Sequence, residues 1–318
     1  MIRLFGLRDI LLIKRLEDKG AHLDLESAVL ESHSPLARAL FDYFSLHRRG
    51  STLVLDTRLS EGRAQGFVQA RDRGGVPLCD LLYISPSLAH SPLAPKVWPP
   101  LLEGVCAKGG ERGVQRFLAK VEGRSEAVDL FKGIGFRPYA RRWIFRLERL
   151  PREGEGPLLR PRRVEDGWRL QRLYESVTPR PVQQVEGWES RGVSRYWQRG
   201  AKEYVAQRGE EIVAYFCLLS GRRGCWLKAL IHPEAGGEVD LLRCALGWMG
   251  SDGTFPLFSG ARGYEASLKS SLLELGFEPM REELLMVKHT TVRVEASPAK
   301  PVRALEREMG GVTTLQRF

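Results

Sequence analysis

Two kinds of hydrophobic pattern alternate along this 318-residue chain, one typical of strands and one typical of helices. Short apolar and β-branched runs separated by glycine-containing turns predict antiparallel strands at 53–56, 65–70, 77–84, 204–207, 212–219 and 225–231. Helical spacing of apolar residues predicts helices around 97–105, 170–177 and 239–249. The strand groups and helices therefore alternate in blocks rather than one by one.

The two halves of the chain have the same predicted order of elements, β-α-α-β-β-β-α-β-α-β. Each half begins with a short strand, at 2–5 or 158–161, and ends with another, at 143–147 or 284–287. A proline-interrupted segment with further helix follows the first helix of each half. This order predicts a mixed, mostly antiparallel sheet flanked by helices in each half.

Local sequence also repeats. Gly135-Phe136-Arg137-Pro138 is matched by Gly276-Phe277-Glu278-Pro279, each after an amphipathic helix. Glycine suits the left-handed position just past a helix end, the following Phe can fold back on the last turn, and proline stops the helix from resuming. The starts match too, because Arg3 and Asp9 have the same spacing as Arg160 and Asp166. We interpret these correspondences as two copies of one architecture, the second with shorter loops.

The two copies predict a division into four segments. Residues 1–150 form a first domain, 151–157 a Pro- and Gly-rich linker without apolar residues, and 158–290 a second domain. Residues 291–318 lack a sustained periodic face, so we expect an extended tail.

The element order, the strand-turn-helix unit after the fourth strand, and the helix ending in Leu-x-x-x-Gly-Phe-x-Pro resemble the GCN5-related N-acetyltransferase (GNAT) superfamily. The resemblance covers residues 2–148 and 158–289. It implies an α/β fold of α+β character, built of two tandem GNAT folds. It also implies transfer of an acyl group, most simply acetyl, from acyl-CoA to a primary amine.

Composition narrows the setting. The chain is 43% hydrophobic and 28% charged, which is typical of a globular protein. It lacks an apolar run long enough to span a bilayer and a convincing signal peptide, and its five cysteines form no CxxC pair, so a cytoplasmic protein with reduced thiols is expected. The net charge of +10 is concentrated in the first half, at +7 against +3, but no long basic block suggests nucleic acid. The six histidines lack metal-ligand spacing, and no metal is expected.

By resemblance, pantetheine would lie where the fourth and fifth strands of a half splay apart, and the CoA pyrophosphate at the next helix N-terminus. Neither half has the family's Gln/Arg-x-x-Gly-x-Gly/Ala loop. The first offers Lys96, with His90 and Ser91 as further anion contacts, in a loop with prolines but no glycine; the second offers Gly236 and Gly237 among acidic residues. We favour the second half on its glycines, although the first is more basic. The residues expected to line the donor site are Leu82, Tyr83, Ile84, Lys96, Ala229, Leu230, Ile231, Gly236 and Gly237.

Catalytic residues are not assigned by the sequence. The family's tyrosine position falls on Phe131 and Leu272, and neither side chain can donate a proton. Other candidates are Tyr83, Tyr139, Tyr215 and Tyr264 as proton donors and Asp80 and Glu203 as bases, although a structural role is the default for each. An aromatic acceptor pocket and ordinary core packing both fit the segment with Trp188, Arg195, Tyr196 and Trp197.

Three functions therefore remain open. The first is an acyl-CoA-dependent N-acyltransferase acting on a small-molecule amine. The second is a catalytically silent tandem GNAT that serves as a ligand-binding or assembly module. The third, nucleic-acid binding through the basic first half, is the least favoured, and no membrane partner is expected.

Overall fold

The computed structural model describes residues 2–31, 33–45, 50–74, 76–149, 159–187, 201–247 and 256–290, and for Leu59 the backbone alone. The predicted linker, the 188–197 aromatic segment and the predicted tail lie outside the described residues. Within these residues, no helix combines the length and the hydropathy needed to cross a membrane.

The first half contains seven strands and five helices within its described residues. They are β1 (Ile2–Leu4), α1 (Ile10–Leu16), β2 (Ala21–His22), α2 (Leu25–Leu30), α3 (Pro35–Phe44), β3 (Gly50–Leu59), β4 (Gly62–Asp72), β5 (Leu78–Ser85), α4 (Ala94–Glu111), β6 (Arg116–Glu122), α5 (Glu126–Gly133) and β7 (Arg137–Leu147). The sequence did not predict β2 and α2, because a two-residue strand and a six-residue helix are too short to show a period.

The second half follows the same order without counterparts of β2 and α2 among its described residues. Its elements are β8 (Leu159–Pro161), α6 (Gly167–Val177), α7 (Arg180–Glu186), β9 (Lys202–Arg208), β10 (Glu211–Ser220), β11 (Cys225–Ile231), α8 (Glu238–Gly247), β12 (Leu257–Arg262), α9 (Ala266–Glu274) and β13 (Glu278–His289). The last strands of both halves are longer than predicted and include the prolines of the Gly-Phe-x-Pro motifs.

One continuous sheet joins the halves, in the order β1-β3-β4-β5-β6-β13-β7-β12-β11-β10-β9-β8, with β2 added to β5. Only the β5–β6 and β11–β12 pairs are parallel among the described ladders. At the centre the last strands are exchanged: β13 of the second half lies between β6 and β7 of the first, and β7 pairs with β12 of the second. Each half therefore completes its sheet with a strand of the other.

The repeated helix end works as the sequence predicts. Gly135 and Gly276 have φ of 94° and 85°, a conformation that favours glycine. The next residue, Phe136 or Phe277, donates its N–H to the carbonyl five residues earlier, at 3.0 Å in both halves. Both phenylalanines are buried in the two main core clusters, one on each half. The motif thus ends a helix and supplies a core side chain at the same point.

The repeated start is a second local device. Asp166 accepts hydrogen bonds from both terminal nitrogens of Arg160, at 2.7 Å each, and from the Arg163 N–H. In the first half Asp9 accepts from Arg3 and from the Gly6 N–H in the same way. The arginine ties the first strand of each half to the aspartate at the beginning of its first helix, which explains the shared spacing.

A buried ion-pair cluster lies where the exchanged strands meet. Glu283 of β13 is fully buried and accepts hydrogen bonds from Arg142 of β7 and from Arg281. Burial alone would raise the pKa of Glu283, but the two guanidinium charges outweigh it and hold the pKa below its ordinary value. Because a buried carboxylate without a partner is costly, the arrangement in which Glu283 keeps both arginines is favoured over one that separates them.

Candidate active site

Both halves have the splayed strands that the sequence places at the donor site. β5 and β6 pair through Leu78–Asp80 and then separate, and β11 and β12 pair through Cys225–Leu227 and then separate. The two splayed regions differ in what lies between their strands.

In the first half, the chain itself fills the space between the splayed strands. β2 pairs with Tyr83 and Ile84 of β5, and Leu23 N–H donates to Leu82 O at 2.9 Å. Leu23 O then accepts from the N–H of Lys120 on β6, at 3.1 Å. Residues 21–23 therefore bridge β5 and β6, and the backbone groups of Leu82, Tyr83 and Ile84 that were expected to line pantetheine face a protein strand instead.

The loop after β5 is also closed to an anion. The N–H groups of His90, Ser91, Leu93, Ala94 and Lys96 all donate to oxygen atoms of the same loop. The Lys96 ammonium pairs with Glu61 on the surface. Most backbone N–H groups of this loop are therefore already paired within the chain.

In the second half, the edge of β11 is open beyond Leu227. Ala229, Leu230 and Ile231 pair with β10 on one side, whereas no strand among the described residues pairs with them on the other. All three residues are partly exposed. A peptide-like chain can add to such an edge through backbone hydrogen bonds.

The glycine loop lies directly after this open edge. Gly236 and Gly237 have φ of 67° and 63°, and α8 begins at the next residue. The N–H groups of Gly237, Glu238 and Val239 have no hydrogen-bond acceptor within the described part of the chain. Free N–H groups at the start of a ten-residue helix, where the helix dipole is positive, favour an anion.

The structure supplies the positive charge that the loop sequence lacks. Arg208, at the end of β9, donates to the carbonyls of Glu234 and Ala235 and lies 3.9 Å from the Cβ position of Gly236. The acidic residues of the loop are partly offset, since Asp240 pairs with Arg243 at 2.7 Å. Sequence reasoning missed Arg208 because it lies 26 residues or more before the loop that it contacts.

A cavity of about 280 Å³ lies between the two halves, against the open edge of β11. Lys228, Ala229 and Leu230 form part of its wall, so the same edge joins the glycine loop to the cavity. The ionisable side chains that line it are Asp24, Glu26, Arg71, Arg73, Asp80, Lys120, Arg142, Glu186, Lys228, Arg262 and Glu265.

Most of these charges are paired across the wall of the cavity. Lys228 contacts Glu26 at 2.6 Å, Arg73 holds Asp80 through two hydrogen bonds of 2.8 and 2.9 Å, and Arg262 contacts Glu186 at 2.6 Å. Glu26 belongs to α2, which directly follows the strand that fills the first half's splay. The first half therefore supplies one wall of the cavity beside the second half's open edge.

Neither half has a hydroxyl at the family's tyrosine position. Phe131 and Leu272 occupy it, and both are fully buried in the core. Three of the four alternative tyrosines, Tyr139, Tyr215 and Tyr264, line the cavity. The fourth, Tyr83, lies in the first half, where its hydroxyl accepts from Gly20 N–H and donates to Glu17 O.

Two side chains of the cavity have the chemistry of a proton acceptor and a proton donor. Glu265 accepts from the Arg262 N–H at 2.8 Å and makes no ion pair among the described residues, and burial raises its pKa. The Tyr264 hydroxyl accepts from Arg262 at 2.8 Å, and burial also raises its pKa. The candidate bases Asp80 and Glu203 are instead held by Arg73 and Arg162.

The described residues contain no group of His, Cys, Asp and Glu side chains placed to hold a metal ion.

One sequence signal could have indicated the cavity. Lys228 is a charged residue in the middle of the otherwise apolar run 225–231. A lysine within a strand of this kind requires a partner or a cavity.

Solved structures share this architecture. A GCN5-related N-acetyltransferase from Sphaerobacter thermophilus aligns over 91% of this chain and 95% of its own, with a TM-score of 0.54 and 14% identity. The chain has a tandem GNAT fold. A tandem GNAT protein from the clavulanic acid biosynthesis pathway aligns over 91% of this chain and 98% of its own, with a TM-score of 0.51 and 13% identity.

These structural alignments show the GNAT fold, and at such low identity they leave the activity to be argued from the site. No family model matches the sequence, and neither does any curated protein.

Proposed function

We propose that the protein is an acyl-CoA-dependent N-acyltransferase, most simply an N-acetyltransferase, whose second half binds the acyl donor. The observation that carries this proposal is the open edge of β11, which runs from the glycine loop to a polar cavity. The first half serves as a structural partner because its own splay is filled by residues 21–23.

The second half has residues to hold each part of the donor. The backbone of Ala229, Leu230 and Ile231 would pair with the amide groups of pantetheine, and the N–H groups that follow Gly236 would hold the pyrophosphate. Arg208 adds positive charge beside that loop. Acyl-CoA supplies an activated thioester, and the cavity at the end of the edge is where a small-molecule amine would meet it.

The cavity residues suit the proton transfers of this reaction. Glu265 accepts the proton of the incoming ammonium, since its raised pKa makes it a better base near neutral pH than an ordinary carboxylate. Tyr264 donates a proton to the departing thiolate, because its raised pKa keeps the phenol protonated at neutral pH, and it recovers a proton from the nitrogen as the new amide forms. Transfer is direct, and no covalent enzyme intermediate is required.

Titration calorimetry with acetyl-CoA tests the donor site. Changing Gly236 and Gly237 together to Asp places two negative charges at the loop and forces side chains into left-handed backbone, so affinity falls by about 100-fold or more. Gly113→Asp is a matched control because Gly113 also has positive φ and open space, yet lies in the first half. Lys96→Gln is expected to leave affinity unchanged.

The outcomes separate the alternatives. Loss of binding in Lys96→Gln, with normal binding in the double glycine variant, would move the donor to the first half. No heat with acetyl-CoA in the full chain would leave the catalytically silent binding or assembly module as the better description. Binding to nucleic acid would appear as affinity that falls steeply with salt.

A further inference from the structure

We infer that the ligand of the cavity between the halves is a small amine that also carries an oxyanion, a carboxylate or a phosphate. This inference rests on the proposed function, for which it names the class of acceptor. It stands on the orientation of the charged side chains in the cavity wall.

Four cations of the cavity wall have side chains that are more exposed than the carboxylates that pair with them, whereas Arg71 is no more exposed than its partner Glu31. The Lys228 side chain is 38% exposed and that of its partner Glu26 is 11%; Arg73 is 22% exposed and Asp80 is 8%. Arg262 with Glu186 and Lys120 with Asp24 show the same order. In these four pairs the carboxylate is the more deeply buried partner, so the charge that a ligand in the cavity meets first is mainly that of lysine and arginine.

Such a wall recognises an anion. These four cations line the cavity, and an oxyanion ligand would contact them through charge-assisted hydrogen bonds. A ligand with only apolar surface would displace water from these cations without replacing its hydrogen bonds, which is costly for charged groups.

One carboxyl group of the cavity breaks this pattern. Glu265, at the start of α9, makes no ion pair among the described residues and accepts only the N–H of Arg262. It is therefore the group of the wall that is available to an ammonium. One carboxyl for the amine and several cations for an anion together match a ligand with both charges.

The size of the cavity limits the ligand. A volume of about 280 Å³ is at the small end of the range of about 300–1,000 Å³ that is common for ligand pockets. It suits a molecule of amino-acid size.

Matched amines test the inference. Acetylation of β-alanine is compared with that of propylamine, and acetylation of phosphoethanolamine with that of ethanolamine, with 1,3-diaminopropane as a dication. We expect kcat/KM to be about 10- to 100-fold higher for the oxyanion member of at least one pair. The pair with the larger ratio distinguishes carboxylate from phosphate. Equal rates within both pairs, or preference for the diamine, would overturn the inference.

A variant connects the preference to the cavity wall. Lys228→Gln removes the most accessible of these cations while Glu26 keeps Lys120 at 3.9 Å, so the ratio within the preferred pair should fall about tenfold. Lys228→Arg should restore most of it, and Lys132→Gln, on the surface of the first half, should not change it. An unchanged ratio in Lys228→Gln would contradict the assignment.

Calorimetry with the same amines, without any acyl donor, separates this inference from the proposed function. Binding of β-alanine or phosphoethanolamine but not of propylamine or ethanolamine, in a protein that transfers no acetyl group, would sustain the ligand class and refute the enzyme. Acetyl transfer without any preference within the pairs would do the reverse.

Discussion

The exchange of β7 and β13 leads to a prediction about folding: neither half folds alone. β13 pairs on one side with residues 116–122 of β6 and on the other with residues 137–146 of β7. A fragment of residues 1–150 contains β6 and β7 but lacks the strand between them.

The cost can be worked from these ladders. An antiparallel pair forms about one backbone hydrogen bond per residue pair, so removing β13 breaks roughly 15 of them. At about 0.5–1.5 kcal/mol net for each, the loss is on the order of 10 kcal/mol. Buried Leu285, Met286 and Val287 are lost from the core as well. A typical domain has a total stability of about 5–15 kcal/mol, so the fragment should be unfolded.

The assay compares fragment 1–150, fragment 158–318 and their mixture by amide NMR dispersion, gel filtration and thermal unfolding. We expect each fragment to lack a cooperative transition and the mixture to recover one. The control is the full chain with a protease site placed in residues 151–157 and cut after folding, which should remain one complex with a single transition. A monomeric fragment 1–150 with a cooperative transition would show that β6 and β7 can pair directly, and would refute the reasoning.

Three further predictions concern single side chains. Glu283→Leu leaves Arg142 without its buried partner, so the free energy of unfolding measured in urea should fall by about 3–5 kcal/mol. The control is Glu278→Leu, at the exposed start of the same strand, which should change the free energy of unfolding by less than about 1 kcal/mol. In the wild type the pKa of Glu283 is lowered in the folded state. Its contribution to the free energy of unfolding is therefore complete above the ordinary carboxyl pKa and should disappear as pH falls through the folded value, which urea titrations between neutral and acid pH would detect. Equal stability of the two variants, or wild-type stability that does not change at acid pH, would contradict the buried pair. Phe131→Ala removes a fully buried ring that packs edge-on against Phe136 at 5.0 Å and should cost about 3–5 kcal/mol in the same urea experiment, with a loss below 1 kcal/mol arguing against this packing. Glu265→Gln should lower kcat by about 10²- to 10⁴-fold without changing the dissociation constant of acetyl-CoA. Wild-type activity should fall as pH drops through the raised pKa of Glu265. If the variant keeps the wild-type pH profile, Glu265 is not the base.

The local elements of the fold could be predicted because their causes are local. Gly276 and Phe277 end a helix through backbone conformation and a bond five residues back, and Arg160 and Asp166 join a strand to a helix six residues away. Hydrophobic periods of two and 3.6 residues predicted most strands and helices for the same reason. These patterns also carried the resemblance that the GNAT fold confirms.

The site was only partly predictable. The sequence favoured the second half on Gly236 and Gly237, and the structure adds an open edge at Ala229–Ile231 and the distant Arg208. The donor role of these residues stays a prediction. The strand pattern at Leu82, Tyr83 and Ile84 is as compatible with an open edge for pantetheine as the pattern at Ala229–Ile231. Strand patterns do not show whether another segment of the chain will pair with an edge.

Sequence by itself determined where most helices and strands lie, and that each half follows one architecture. The tertiary structure alone decided that the last strands change partners, that residues 21–23 fill the first splay, and that Glu26 reaches Lys228. Backbone hydrogen bonds between strands carry almost no sequence information, so pairing is selected by the burial of whole faces and by ion pairs such as Arg142 with Glu283. These contacts join residues that are often more than 100 positions apart, and the sequence patterns within either segment do not record them.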